Sequence, residues 1–175
     1  PVNAISKNEH GKEQIDFDKC ISCGKCLREC PFGAIMERSQ MVDVLKSLKS
    51  DRPVAALVAP ALVGQFSSEW GQIISAIKKL GFDDVYEVAF GADLTVEHEA
   101  QELKERLESG EKFMTTSCCP AYVEAVKKHI PKLEPFVSQT PSPMQLTAKH
   151  VREQTPNAVQ VFISPCVAKR SEAIK

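Results

Sequence analysis

Four cysteines fall between residues 20 and 30, in the order Cys20-x₂-Cys23-x₂-Cys26-x₃-Cys30, with Pro31 immediately after. A segment this dense in thiols has to be organised around something they bind or around bonds between them. Disulfides fit poorly. The chain holds seven cysteines, an odd number, and Cys118 and Cys119 are neighbours that can bridge only through strained geometry. It also shows no secretory leader that would put it in an oxidising compartment. Zinc ligands normally come as two separated Cys-x₂-Cys pairs, so three closely spaced thiols argue against a single zinc ion. A zinc or disulfide knot is the alternative to a polynuclear cluster.

The spacing is similar to that of bacterial ferredoxins, whose thiolates hold a four-iron, four-sulfur (4Fe–4S) cubane. Successive tight turns let Cys20, Cys23 and Cys26 wrap three corners, and the small Ser22 and Gly24 let backbone amides approach the sulfurs. In two-cluster ferredoxins the fourth cysteine of such a run serves the other cluster. No cysteine precedes Cys20, so Cys30 either closes its own cluster or ligates a neighbouring one outside this sequence. The start at Pro1, without an initiator Met, adds to the expectation that the chain is cut from a longer one.

After about residue 38 the pattern changes. Met41, Val42, Leu45 and Leu48 recur at helical spacing, and Val54–Ala59 reads as a buried strand stopped by Pro60. Trp70, Ile73, Ile74, Ile77 and Leu80 predict a helix closed by Gly81. Val85–Phe90 predicts a second strand, and Val96, Leu103 and Leu107 a helix ended by Gly110. Phe113–Thr116 predicts a third strand, with helices following at Tyr122–Val126 and from Pro143 to Glu153, then a last strand at Val159–Ile163. The expected fold is α/β: a small ferredoxin-like iron–sulfur domain over 1–38, then part of a parallel-sheet βαβ domain over 39–175. Cys118-Cys119 and Cys166 each follow a predicted strand. Ligands of open parallel sheets bind outside the carboxyl ends of the strands, so the three thiols, and Pro60 after the first strand, are expected at one crevice.

Thr116-Ser117-Cys118-Cys119-Pro120 and Ser164-Pro165-Cys166-Val167-Ala168-Lys169-Arg170-Ser171-Glu172 resemble the first two signature motifs of the iron-only (di-iron) hydrogenases. The resemblance extends through Phe90–Thr95 and the Cys20–Pro31 loop. It implies an H-cluster, a 4Fe–4S cubane bridged through a thiolate to a di-iron unit carrying carbonyl and cyanide. By that match Cys119 and Cys166 are cubane ligands, Cys118 relays protons, Lys169 hydrogen-bonds a cyanide, and Pro60 borders the cofactor. The family's third motif supplies the last two cubane cysteines, and no cysteine follows Cys166. The chain is therefore expected to be a fragment, inactive alone, whose partners include the missing C-terminal part of the catalytic domain.

The family's proton route runs through Glu, Ser, Glu and Arg, which match Glu99, Ser138, Glu102 and Arg106. Independently, Glu99, Glu102 and Arg106 stand at i, i+3 and i+7 and share a helix face. Without the motifs that pattern reads as a solvated face with a Glu–Arg pair. Ala61, Ser164, Met144 and Ala121-Tyr122 depart from the residues common near the di-iron unit and mark a divergent subgroup.

The implied function is a hydrogenase that interconverts protons and dihydrogen, with the first cluster taking electrons from a ferredoxin-like partner. The alternatives are a hydrogenase-like iron–sulfur assembly factor, a class that generally lacks the relay thiol and the acidic route, or a hydrogen-sensing or electron-transfer module. The net charge of −1 gives no case for nucleic acid or a membrane surface, and no apolar stretch reaches bilayer length, so a cytoplasmic location is expected. His10, His98, His129 and His150 lack metal-ligand spacing, Trp70 reads as core, and no phosphate-binding glycine loop occurs. Lys78-Lys79 and Lys127-Lys128 read as solvated helix ends.

Overall fold

The computed structural model describes residues 1–173. In chain order the elements are β1 (Ile5–Lys7), β2 (Glu13–Ile15), α1 (Lys25–Glu29), α2 (Met41–Leu48), β3 (Val54–Val58), α3 (Trp70–Lys79), β4 (Asp84–Glu87), α4 (Val88–Glu108), α5 (Pro120–His129), α6 (Pro143–Gln154), β5 (Val159–Ile163) and α7 (Arg170–Ala173). Short 3-10 turns lie at Pro60–Gln65, Pro131–Phe136 and Val167–Lys169. The chain groups into two compact units. One holds residues 38–100 and 141–165; the other holds 1–37, 101–140 and the stretch from Cys166 onward.

The first of these is built on a parallel sheet of order β4-β3-β5, with Ala56 opposite both Val85 and Val161. Every residue of β3 is buried, as a central parallel strand requires. Successive side chains of a strand point to opposite faces. Val54, Ala56 and Val58 therefore pack on one side with Ile73 and Ile77 of α3 and with Phe82. Ala55 and Leu57 pack on the other with Val88 of α4 and Val151 of α6. Capping boxes start α3 (Glu69 with Gln72) and α6 (Ser142 with Gln145), and Gly81, at φ 109°, ends α3.

The structure departs from the sequence reading in two places. Val85–Phe90 alternates like a strand, but β4 stops at Glu87 and Val88–Phe90 are the first turn of α4. The reason lies in the neighbour: Val58, the last residue of β3, pairs with Glu87, so nothing remains for residues 88–90 to pair with. As a helix, the segment buries Val88, Gly91 and Thr95 on one face. Phe113–Thr116 is not a sheet strand either. Thr115 makes a single parallel bridge to Val137, which holds the approach to Cys118 beside the Val137–Thr140 segment.

In the second unit, β1 and β2 form an antiparallel hairpin, Ile5 opposite Ile15, that hydropathy gave no sign of because its residues are mostly exposed. Its turn is shaped by Asn8, whose side-chain oxygen accepts from the backbone N–H groups of His10 and Lys12, both at 3.0 Å. Among the described residues no helix is long and apolar enough to cross a membrane.

Candidate functional site

All seven cysteines belong to the second unit. Ser22 and Gly24 both adopt left-handed backbone (φ 56° and 73°), which turns the chain tightly between Cys20, Cys23 and Cys26. Ser22 N–H points at the Cys20 sulfur (3.4 Å) and Ala34 N–H at the Cys30 sulfur (3.4 Å). The amide of Ala34, with those of Phe32, Ile35 and Gly33, draws the Cys30 thiol below its ordinary pKa against a smaller opposing effect of burial. Backbone amides aimed at thiolates are the donor set an iron–sulfur cluster needs, so the loop fits the group. Among the described residues no three His, Cys, Asp or Glu side chains converge closely enough to hold one metal ion. The thiols of a cubane stand around a four-iron, four-sulfur body and converge less than those of a mononuclear site.

Gly24 also fixes where this loop rests. A Cβ there would collide with the Val167 side chain, the residue after Cys166. The loop is gripped from another direction by α5. Lys128 Nζ donates to the carbonyls of Cys20 (2.7 Å) and Phe17 (2.9 Å), and His129 Nε2 lies 2.9 Å from the Lys19 carbonyl. Lys128 also pairs with Glu124 at 3.3 Å. Lys128 is exposed, as expected of a helix end, yet its ammonium also caps carbonyls 108 and 111 residues away, partners that helix periodicity has no means to reveal.

Cys119 is the N-cap of α5, with Pro120 in its first turn, and the chain reaches Cys166 just after β5. Lys169 links the two segments. Its ammonium donates to the Cys118 carbonyl at 2.8 Å and to Glu172 at 2.9 Å, the pair being 14% exposed on each side. Two of the three ammonium donors are thereby engaged in tying Pro-Cys-x-x-Lys to the double-cysteine segment. The Thr116 hydroxyl lies 3.5 Å from the Cys118 sulfur, and Tyr122 OH donates to Thr115 Oγ1 at 2.8 Å. Pro60, exposed, opens the 3-10 turn directly after β3.

Three of the four sequence-derived route residues meet at one carboxylate. Glu102 accepts from Arg106 Nε (3.0 Å) and Nη2 (2.7 Å), from Ser138 Oγ (2.6 Å), from Gln139 N–H (2.9 Å) and from Thr140 Oγ1 (3.0 Å). Burial pushes this carboxyl up, but the hydrogen bonds outweigh it and its pKa falls to about 2. For Arg106 burial works against the charge, and the carboxylates of Glu102 and Glu111 more than restore it. Arg106 donates further to the carbonyls of Pro135 and Val137. Ser138 Oγ accepts from Thr140 N–H at 3.0 Å, which aims its own proton at Glu102. Glu99, half-buried, sits one turn earlier on α4. Thr140 escaped the sequence reading, although Ser138 and Thr140 flank Gln139 and alternate residues of an extended segment face one way.

Residues 52–175 match the family described as iron only hydrogenase large subunit, C-terminal domain, and residues 13–36 match a 4Fe-4S binding domain. Iron hydrogenase 1 of Clostridium pasteurianum is 32% identical over 82% of this chain and 28% of its own. The cytosolic Fe-S cluster assembly factor NAR1 of Kluyveromyces lactis is 24% identical over 97% of this chain and 39% of its own. Among solved structures, the [FeFe]-hydrogenase HydA(deltaEFG), determined in a study of stepwise H-cluster assembly, superposes with a TM-score of 0.70 at 32% identity, covering 79% of this chain and 40% of that one. The chain thus spans well under half the length of these relatives. These matches support a 4Fe–4S cluster and an H-cluster as the cofactors. With the amide-lined cysteine loop and the paired Cys118 and Cys166 segments, the matches lead to one conclusion: this chain belongs to the iron-only hydrogenase large-subunit family.

Proposed function

We propose that the chain is part of a hydrogenase that interconverts dihydrogen with protons and electrons, residues 1–38 serving as electron relay and 39–175 as the first part of the catalytic domain. The observation that carries the reading is the Lys169 ammonium on the Cys118 carbonyl, which brings the double-cysteine segment and the Cys166 segment together as two walls of a single site. When bound, the H-cluster supplies the bond chemistry that joins two protons and two electrons as dihydrogen.

The residues of the chain do the rest. Cys119 and Cys166 hold the cubane, and Cys20, Cys23, Cys26 and Cys30 hold the relay cluster, charged by a ferredoxin-like donor. Lys169 keeps one N–H donor for a cyanide, and Pro60 shapes the surrounding wall. The Cys118 thiol passes protons at its sulfur, and Glu99, Ser138, Glu102 and Arg106 connect it with solvent. In this route Glu102 is a held anion: hydrogen bonds from Ser138, Gln139, Arg106 and Thr140 keep its pKa low, so it takes a proton only as these bonds are given up. Ser138 is the pre-aimed donor beside it. We place the protein in the cytoplasm.

The similarity to NAR1 over 97% of the chain favours one other reading, an iron–sulfur assembly factor without hydrogen chemistry. Cys118 and the acidic route weigh against it, because a factor that moves no protons has no use for them. The full protein as its gene encodes it, produced with H-cluster installation machinery, is expected to evolve hydrogen from reduced viologen. No hydrogen, together with rescue of cytosolic iron–sulfur enzymes in yeast lacking NAR1, would establish the assembly factor instead.

A further inference from the structure

We propose that Lys128 is a positioning residue of the electron relay, holding the Cys20 end of the cysteine loop and favouring the reduced form of its cluster. The inference rests on the reading of Cys20, Cys23, Cys26 and Cys30 as ligands of a 4Fe–4S cluster.

Lys128 Nζ sits 2.7 Å from the carbonyl of a ligand cysteine and 2.9 Å from that of Phe17, so one cation closes the loop at its entrance. Lys128 lies at the exposed end of α5, but its side chain is 27% exposed and these two hydrogen bonds hold its charge against the loop. Glu124 on its own helix balances part of the charge, and Asp16 on the loop side is engaged with Lys19 at 2.9 Å. The helix that carries Lys128 is preceded by Cys119 as its N-cap, so a single ten-residue element has a proposed catalytic ligand at one end and the relay loop at the other. Val167 packs against the same loop at Gly24, where a Cβ would collide with it. Lys128 therefore adds a charged hold on the Cys20 end of the loop to the close packing at Gly24.

The electrostatic consequence has a fixed sign. On reduction the cluster takes up one electron from the donor, and with its thiolates it becomes more negative by one charge. A nearby cation stabilises that state, so removing the cation lowers the reduction potential. Lys127, the preceding residue, is exposed, and no contact to the loop is seen for it among the described residues.

The experiment is a redox titration of the full protein as its gene encodes it, with its 4Fe–4S cluster reconstituted from iron and sulfide, followed by electron paramagnetic resonance under dithionite and mediators. Wild type, Lys127→Met, Lys128→Arg, Lys128→Gln and Lys128→Met are compared. Lys128→Met and Lys128→Gln are expected to shift the reduced-to-oxidised ratio at fixed potential by about tenfold toward oxidised, ~59 mV for one electron. Lys128→Arg and Lys127→Met are expected to stay near wild type. An unchanged potential in Lys128→Met or Lys128→Gln overturns the proposal. If both neutral variants lose the cluster while Lys128→Arg keeps it, the positioning role stands; if Lys128→Arg loses it too, the charge is not what matters and the proposal falls. A wild-type chain that forms no 4Fe–4S cluster overturns the ligand reading itself, an outcome distinct from all of these.

Discussion

At the scale of single residues, the Glu102 carboxylate accepts from Arg106, Ser138, Gln139 and Thr140, and its energetics have a definite sign. Its pKa falls from 4.5 to about 2 on folding, so it stabilises the native state fully above pH 4.5. That contribution is lost as the pH drops from 4.5 through about 2. With the side chain 18% exposed and part of the effect screened, the contribution is on the order of 1–3 kcal/mol. Urea titrations from pH 6 down to about 2 should show this loss in the wild type and not in Glu102→Gln, which should be uniformly less stable. Equal slopes in the two proteins would remove Glu102 from the account of acid stability. How legible such residues were depended on where their partners lay. Glu99, Glu102 and Arg106 announced themselves because they share one helix, and the matching of Ser138 came with the family motifs. Thr140 and Lys128 did not, since their partners lie 38 and at least 108 residues away.

At the scale of elements, α4 and α6 meet where Gly91 lies under Pro143 and Thr147, and a Cβ at Gly91 would collide with the Pro143 carbonyl and the Thr147 hydroxyl. Gly91→Ala should therefore cost about 1–3 kcal/mol through overpacking. Gly71→Ala, near the start of α3 with open space around it, should be neutral or gain up to about 1 kcal/mol. Thermal unfolding of the two variants checks the contrast, and equal melting temperatures would mean that the α4–α6 crossing is loose. The same pair of helices shows what hydropathy patterns can and cannot tell. The buried run Val54–Val58, the α3 stripe and the Pro143 start of α6 were plain, because burial and capping write themselves into adjacent residues. Val88–Phe90 imitated a strand, and only the length of its would-be partner decided otherwise. The β1–β2 hairpin was invisible for the opposite reason, being held by backbone pairing and an Asn8 turn with hardly any apolar signal.

At the scale of the whole molecule, the contact grouping cuts across chain order. The cysteine loop, the Cys118-Cys119 segment and Cys166 share a compact unit although the sheet is built from the residues between them. Sequence order suggested a ferredoxin module followed by a catalytic one, and spacing within each motif could be read directly. That α5 and Val167 hold the cysteine loop could not, because such contacts follow from how the chain returns on itself. The central claim is that Cys118 passes protons at a hydrogen-converting site. It is tested most directly by hydrogen–deuterium exchange between dihydrogen and heavy water, catalysed by the full protein as its gene encodes it, with its H-cluster installed. The wild type should release HD and D₂, and Cys118→Ser should lose nearly all of that exchange while keeping the cubane resonance signals. Exchange at the wild-type rate in Cys118→Ser would contradict the account.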